Sequence, residues 1–186
     1  MLRFLRAVDR FHRWTGRIAG WMVLAMVLIG AGNAVLRYVS RFAGKSLGSN
    51  AYLEAQWYLF SLVFLFGAAW TLATDRHVRV DVLYGRLGAR ARAWIDLVGG
   101  VVFLLPFCGF AIWVLLPSVI ESWRVWEQSP DAGGLPRWPL KTAALAAFAS
   151  LALQGVAEVV RRVLFLTGRL ASLDVDVRDG HREGHV

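Results

Sequence analysis

Four long stretches of this chain carry no charged residue, and all four are predominantly apolar. They cover residues 18–36, 55–74, 97–120 and 142–157. A helix needs about 20 mostly apolar residues to cross a bilayer, and the first three stretches reach that length. The fourth reaches it if Lys141 and Glu158 lie near the membrane surfaces, where long side chains extend to the headgroups. We therefore predict an all-α integral membrane protein with spans at about 18–38, 52–74, 95–118 and 138–160.

The composition favours the same class of protein. Of the 186 residues, 57% are hydrophobic and nine are Trp, and the mean hydropathy is +0.49. These values are markedly more apolar than those of a soluble domain. The single cysteine, Cys108, lies inside the third apolar stretch, which predicts a small buried side chain and excludes an intrachain disulfide.

The net charge of +8 would suit a nucleic-acid-binding protein, but the basic residues flank the apolar stretches. Segments 1–17, 76–92 and 161–186 hold five Lys or Arg each, whereas segments 37–45 and 124–141 hold three each. An excess of basic residues marks the cytoplasmic side of a membrane protein. We therefore predict cytoplasmic N- and C-termini, and we expect membrane lipid rather than nucleic acid as a partner.

The residues before the first span form a pattern of their own. Arginines recur at helical spacing and predict one basic stripe, opposite an apolar stripe that includes Leu5 and Val8. The arginines are Arg3, Arg6, Arg10, Arg13 and Arg17. We predict a basic amphipathic helix over 1–17 that lies in the headgroup region, the alternative being a frayed leader that only sets orientation. The charged segment 166–186 is predicted to be a disordered cytoplasmic tail.

Several polar residues lie near the ends of the first two spans. An unpaired Asn33 in lipid would cost a few kcal/mol, so it should face protein unless it is close enough to the interface to stay hydrated. Arg37 and Tyr38 are typical interface anchors. Asn50 is predicted to cap the second helix, with Glu54 in its first turn, where the helix dipole favours a carboxylate.

The segment after the second span combines unlike charges. A small-residue face that includes Gly67 is followed by segment 75–81, which contains His77, Arg79 and Asp81. The acids and the histidine are ligand types for metals, but the interleaved arginines would repel a cation. We therefore predict a salt-bridged turn at the cytoplasmic end of the second span rather than a metal site.

The second half of the chain has three further features. Pro106 predicts a kink in the third span. Segment 121–141 combines three tryptophans with Pro and Gly residues, which predicts an ordered, irregular loop at the membrane interface. In the fourth span, Gln154 is the internal polar residue, and Glu158 stands three and four positions before Arg161 and Arg162, at ion-pair spacing.

No pattern indicates chemistry carried out by this chain. All four histidines lie outside the predicted spans, which argues against a haem-binding subunit. No nucleophile–base arrangement and no phosphate-binding loop is present. The carboxylates lie at span ends rather than at the membrane centre, where ion-carrying acids are found. We therefore expect neither an enzyme nor a cofactor site, and a packing partner fits better than a stand-alone transporter.

The order of these elements resembles one family. It comprises Asn-Ala-Val-Leu-Arg-Tyr at 33–38, Glu54, Phe-Gly-Ala-Ala at 66–69, His-Val-Arg-Val-Asp at 77–81 and Leu-Pro-Arg-Trp-Pro-Leu-Lys at 135–141, followed by Gln154. This order resembles the small (DctQ-like) membrane subunit of tripartite ATP-independent periplasmic (TRAP) transporters, over about residues 15–165. Members often carry Pro-x-Gly early in the fourth span, and this chain has neither residue at 143–149.

The resemblance implies a role in the inner membrane of a bacterium. The partners it implies are a large permease subunit and a periplasmic substrate-binding protein, in sodium-driven uptake of a small solute such as an organic acid. The small subunit would brace the large one and help to form the docking surface. Candidate structural or partner-contact residues are Asn33, Arg37, Tyr38, Glu54, Gly67, His77, Arg79, Asp81, Pro136, Trp138 and Gln154. The alternative is a membrane-anchor or electron-transfer subunit of another inner-membrane complex.

Overall fold

The computed structural model describes residues 2–44, 48–75 and 87–169, and these ranges are helical with short connections and no strand. The helices are α1 (Leu2–Ala43), α2 (Asn50–Ala73), α3 (Ala89–Gly99), α4 (Leu105–Arg124) and α5 (Trp138–Leu166), with a π-helical segment (Gly100–Leu104) between α3 and α4. The predicted all-α class is confirmed.

Four helical segments are long and apolar enough to cross a membrane. They are α1, α2, the continuous segment from α3 through α4, and α5. Only a small part of each segment is buried inside the bundle, and large side chains such as Trp21, Phe103 and Trp113 are exposed. Outward-facing apolar side chains are expected where lipid, rather than water, surrounds the helices. The prediction of four spans is confirmed.

Helix α1 continues through residue 17 without a break, so no change of secondary structure marks the predicted boundary between an interfacial helix and the first span. The five arginines of the basic stripe are exposed. On the opposite side, Leu5 and Val8 are buried against Ala157 of α5, with Val160 and Leu164 packed beside them. Placement of this part of α1 in the headgroup region stays a prediction.

The irregularity in the third span lies one turn earlier than the predicted kink at Pro106. The π-helical segment ends where the Leu105 N–H donates to the Gly100 carbonyl, five residues back. Proline has no N–H, so Pro106 cannot donate to the carbonyl of Val102, and the α-helical pattern is already broken there. The wider turn therefore accommodates the missing donor.

Close contacts between helices occur at particular glycines. A Cβ on Gly16 would lie 2.5 Å from the Trp70 ring of α2, and one on Gly30 would meet the Gln56 amide. A Cβ on Gly155 of α5 would lie 3.0 Å from a methyl of Leu104. By contrast, Gly20, Gly32 and Gly67 have no atom within 4 Å of a Cβ position. Among the described residues, Gly67 is thus not a point of close helix approach.

The bundle has two ends that differ in content. We call the end where α1 begins and α5 finishes the terminal end. The opposite end, where α1 finishes and α2 begins, is the loop end, and it carries the third loop, defined as residues 125–137. Cys108 is fully buried between these ends, as predicted.

Candidate functional site

Glu54 is the centre of the loop end. Its side chain is only 3% exposed, although α2 carries it near a surface of the bundle. One carboxylate oxygen accepts a hydrogen bond from the Ser129 hydroxyl, and the other accepts one from the Leu135 backbone N–H at 2.5 Å. Hydrogen bonds to an ionised acceptor are stronger than neutral ones. Glu54 therefore faces the third loop and fixes its path.

Two further side chains of α2 hold the same loop. Asn50 Nδ2 donates to the Ala132 carbonyl at 3.2 Å, and the Tyr58 hydroxyl donates to the Pro136 carbonyl at 3.0 Å. Asn50, Glu54 and Tyr58 are four residues apart, so they lie one above another on a single helix face. These three side chains form what we call the α2 strap, and they bind backbone or hydroxyl groups of the third loop between Ser129 and Pro136.

The cap of α2 differs from the sequence prediction. Ser49, not Asn50, is the N-cap, and its hydroxyl accepts a hydrogen bond from the Ala51 N–H at 3.2 Å. The Asn50 side chain is engaged with the third loop instead, which explains the one-residue shift. Glu54 lies beyond the first turn, where the α2 dipole is weaker. Its carboxylate is held by the loop rather than by the helix terminus.

A second acid pins the base of the third loop. Glu127 accepts hydrogen bonds from the Lys141 ammonium at 2.5 Å and from the Ser122 hydroxyl at 2.6 Å. These donors, Lys141 first, lower the pKa of Glu127 below its usual value of 4.5. The Glu127 carbonyl also accepts from the Arg137 N–H at 2.9 Å. The two ends of the loop, next to α4 and α5, are thereby joined.

Three tryptophans cluster where the third loop meets the helices. The rings of Trp123 and Trp138 lie 4.2 Å apart between centroids, and Trp126 lies 5.5 Å from Trp138. The Trp123 indole N–H donates to the Thr142 hydroxyl at 2.8 Å. Trp126, in the left-handed region at φ 48°, remains 59% exposed. The cluster presents an aromatic surface on an ordered loop.

Predicted residues of the first span lie beside this region. Asn33 is 5% exposed and therefore faces protein, and its Oδ1 finds no hydrogen-bond donor among the described residues. Arg37 is exposed, and its side chain covers Gly48, where a Cβ would lie 2.7 Å from the Arg37 Cγ. Tyr38 is exposed with its ring 5.3 Å from that of Phe42. Their predicted roles at a partner surface stay predictions.

The terminal end is built differently, from ion pairs between helices. Asp9 of α1, 3% exposed, pairs with Arg161 of α5 at 2.5 Å. Arg161 also pairs with Glu158 at 2.5 Å, and Arg162 lies 3.5 Å from Glu158 and 3.4 Å from Asp96 of α3. The predicted pairing of Glu158 with both arginines is confirmed. We call these five residues the terminal network.

Gln154 and His12 extend the terminal network into the bundle. Both side chains are fully buried, and the Gln154 amide donates to Asp9 at 3.3 Å. His12 Nδ1 lies 2.9 Å from the Val8 carbonyl and therefore carries the proton. Its Nε2 then accepts from the Ser150 hydroxyl at 2.8 Å. Both ring nitrogens are engaged, so neither is available as a haem ligand of the kind the electron-transfer alternative needs.

Asp9 and His12 were not singled out from the sequence. Asp9 is the only acid among the first 17 residues, and it lies on the side of α1 that carries Leu5 and His12 rather than on the arginine stripe. An acid on the buried side of a basic helix indicates a cationic partner elsewhere in the fold. That signal was available, but it did not identify Arg161 as the partner.

Some sequence predictions fall outside the structure's reach. His77, Arg79 and Asp81, the proposed salt-bridged turn, lie outside the described residues, as does most of the predicted tail. Pro136 and Trp138 lie within the described residues, at the end of the third loop and the start of α5.

Comparison with known proteins gives one clear result. The family model described as "Tripartite ATP-independent periplasmic transporters, DctQ component" matches residues 26–165 of the 186. No curated protein and no solved structure matches the chain. The matched range covers α2 to α5 almost completely, including the α2 strap, the third loop and Gln154. The chain therefore belongs to the DctQ family of small membrane subunits of TRAP transporters.

Proposed function

We propose that this protein braces the large permease subunit of a TRAP transporter and that its third loop forms part of the surface where the periplasmic binding protein docks. The transporter would take up a small organic acid with a sodium gradient. The single observation that carries the docking role is the α2 strap, because three side chains of one helix are committed to holding one loop.

The third loop has the properties of a docking surface. Its backbone path is fixed before any partner binds, which lowers the entropy cost of association. Its exposed aromatic side chain is Trp126, and aromatic anchors dominate the binding energy of many interfaces. Trp123 and Trp138 support that ring from below. A partner would therefore meet a rigid aromatic surface.

The carboxylates of the described helices are the reason why we place the coupling to sodium in the large subunit. The two buried carboxylates of the described helices and the half-buried Glu158 already have partners within the chain: Glu54 is held by the third loop, and Asp9 and Glu158 by Arg161. A sodium or proton site needs acids that are free to bind the ion. The chain is therefore assigned a supporting role, and the large subunit would carry substrate and sodium.

The docking role is tested by replacing Glu54. In proteoliposomes that hold both membrane subunits, Glu54→Ala should weaken the response of uptake to added binding protein, while the large subunit still co-purifies. Glu121→Ala is the matched control, because Glu121 is a carboxylate at the same end whose one ion pair within the described residues, with Arg124, is exposed. Equal uptake curves for Glu54→Ala and the control would refute the docking role. If the large subunit no longer co-purifies with either Glu54→Ala or Glu121→Ala, the result would instead indicate that this end of the bundle only braces the large subunit.

The proposed orientation is tested by labelling. Cys108 is the only cysteine, so Cys108→Ser gives a background without thiols. In that background, Asp131→Cys in the third loop should react with a membrane-impermeant maleimide added to spheroplasts, and Arg169→Cys after α5 should not. The reverse labelling pattern would invert the topology and remove the third loop from the periplasmic side.

A further inference from the structure

An apolar groove lies between α1 and α2 near the terminal end. Its volume is about 240 Å³, and its walls include Phe11, Trp14, Ile18 and Met22 of α1 with Leu62 and Phe66 of α2. Thr15 also borders it, but the Thr15 hydroxyl donates to the His12 carbonyl of its own helix at 2.9 Å. The groove therefore presents almost no polar atom and opens towards the surroundings of the bundle.

The groove has the length of one lipid chain. It runs along α1 from residue 11 to residue 22, which is about 16 Å at 1.5 Å per helical residue. The hydrocarbon core of a bilayer is about 30 Å thick, so the groove spans roughly one leaflet. Within the same stretch of α1, Gly16 meets the Trp70 ring, which brings α1 and α2 close together.

The basic stripe borders the groove. Arg10 stands four residues before Trp14 and Arg17 three residues after it, so both arginines flank a groove wall on one face of α1. Neither arginine has a hydrogen bond or an ion pair with any residue in the described ranges, and both are exposed. Arg161 and Arg162, at the same end, are instead half-buried and form ion pairs with carboxylates.

We propose that this groove binds an anionic phospholipid of the surrounding membrane, with one acyl chain between α1 and α2 and the phosphate beside Arg10 and Arg17. The lipid satisfies both halves of the site at once, because its phosphate matches the exposed guanidinium groups and its chain matches the apolar walls. A partner helix would fill the apolar walls but leaves the two arginines unexplained. The proposal does not depend on the transport role or on the docking surface.

The test measures lipid retention on the purified full-length chain. After delipidation, phosphatidylglycerol or phosphatidylcholine is added back, and bound lipid is counted by native mass spectrometry. We expect phosphatidylglycerol to bind more tightly, and Arg10→Gln/Arg17→Gln to lower its affinity by about 25-fold, since each of the two basic residues near a membrane surface contributes about a fivefold preference. Arg3→Gln/Arg6→Gln is the matched control. It removes the same charge from the same stripe beyond the end of the groove and should change the affinity less than about twofold.

A second variant tests the acyl chain. Ile18 is half-buried and lines the open groove, so Ile18→Trp should fill the space and lower retention of both lipids without disturbing the bundle core. If Arg10→Gln/Arg17→Gln and Arg3→Gln/Arg6→Gln lower the affinity for phosphatidylglycerol equally, the arginines act only by diffuse electrostatic attraction, and the proposed site is refuted. Undiminished lipid retention by Ile18→Trp would also refute the proposed site. Loss of the lipid when the large permease subunit is co-purified would assign the groove to that subunit instead.

Discussion

At the terminal end, the buried carboxylate of Asp9 meets an arginine from another helix, whereas at the loop end the buried carboxylate of Glu54 meets a serine hydroxyl and a backbone N–H. The first arrangement joins α1 to α5 across 152 positions of sequence. The second joins α2 to a loop. An ion pair between helices sets how the helices pack, while hydrogen bonds to a loop backbone set the shape of a surface. The terminal end therefore stabilises the packing of the helices, and the loop end stabilises the shape of the surface formed by the third loop.

The terminal network gives the largest expected effect. Arg161→Met leaves the buried Asp9 carboxylate without its cation, and such a loss typically costs about 3 kcal/mol in the free energy of unfolding. Unfolding in mixed micelles of rising dodecyl sulfate content, followed by circular dichroism, measures it. Arg124→Met, which breaks an exposed pair with Glu121, should cost less than about 1 kcal/mol.

The double variant Asp9→Leu/Arg161→Met sharpens this result. It removes both charges and should recover a large part of the lost stability, because neither group is then buried alone. A double variant no more stable than Arg161→Met would show that packing of the arginine side chain, rather than charge compensation, stabilises the terminal end.

Close packing near the same end gives a second, smaller effect. Gly16→Leu places a side chain where Trp70 lies within 2.5 Å of a Cβ, and overpacking of this kind costs about 1–3 kcal/mol. Gly20→Leu, one turn further along α1, meets open space and should be nearly neutral. The same unfolding assay compares them. Equal stability of the two variants would mean that α1 and α2 adjust freely at Gly16.

The α2 strap gives a local rather than a global effect. Glu54→Gln keeps the size of the side chain but removes the charge and one acceptor, so the Leu135 N–H loses its strong partner. Hydrogen exchange at the Leu135 amide should accelerate on the order of tenfold, with little change in the unfolding midpoint. Unchanged exchange at Leu135, or a large drop in the unfolding midpoint, would contradict the view that Glu54 stabilises the loop locally while the terminal network stabilises the whole bundle.

The pH dependence of Glu127 gives the smallest effect. Its pKa is lowered by Lys141 and Ser122, so its bonds stabilise the loop base above the ordinary pKa of 4.5 and are lost as pH falls through the lowered folded value. Protection of the Arg137 amide should be constant from neutral pH to about pH 5 and fall a few-fold at lower pH. Glu127→Gln should show a flatter profile. A drop in protection already at pH 6 would implicate another group.

The spans were predictable because uncharged runs of the required length leave few alternatives in a membrane. The extents of the helices were not. Helix α1 includes all five arginines of the basic stripe and begins at Leu2, since exposed guanidinium groups do not interrupt helical hydrogen bonds. The helical segment that contains the third span runs from Ala89 to Arg124 for the same reason.

The candidate site was only partly predictable. Glu54, Pro136, Trp138 and Gln154 were identified as residues of interest, but the contacts of Glu54, Pro136 and Gln154 join positions about 80 or 145 residues apart. Such pairings depend on how the helices pack, which no local pattern specifies. Tyr58 was missed, although its spacing of four from Asn50 and Glu54 is readable in the sequence.

The π-helical segment Gly100–Leu104 has a consequence for the phase of the third span. A π turn encloses one residue more than an α turn, which rotates all later side chains by about 100° relative to the earlier ones. In an uninterrupted helix, the buried Ala93 would lie about 50° to one side of the middle of the face formed by the buried residues Cys108, Val119 and Ser122. The extra residue places Ala93 about 50° to the other side of that middle. The third span thus consists of two helical segments out of step by one residue, and deleting a single residue from the π turn would rotate the buried face of α4 by about 100° relative to that of α3, so the two faces would not both keep their present packing.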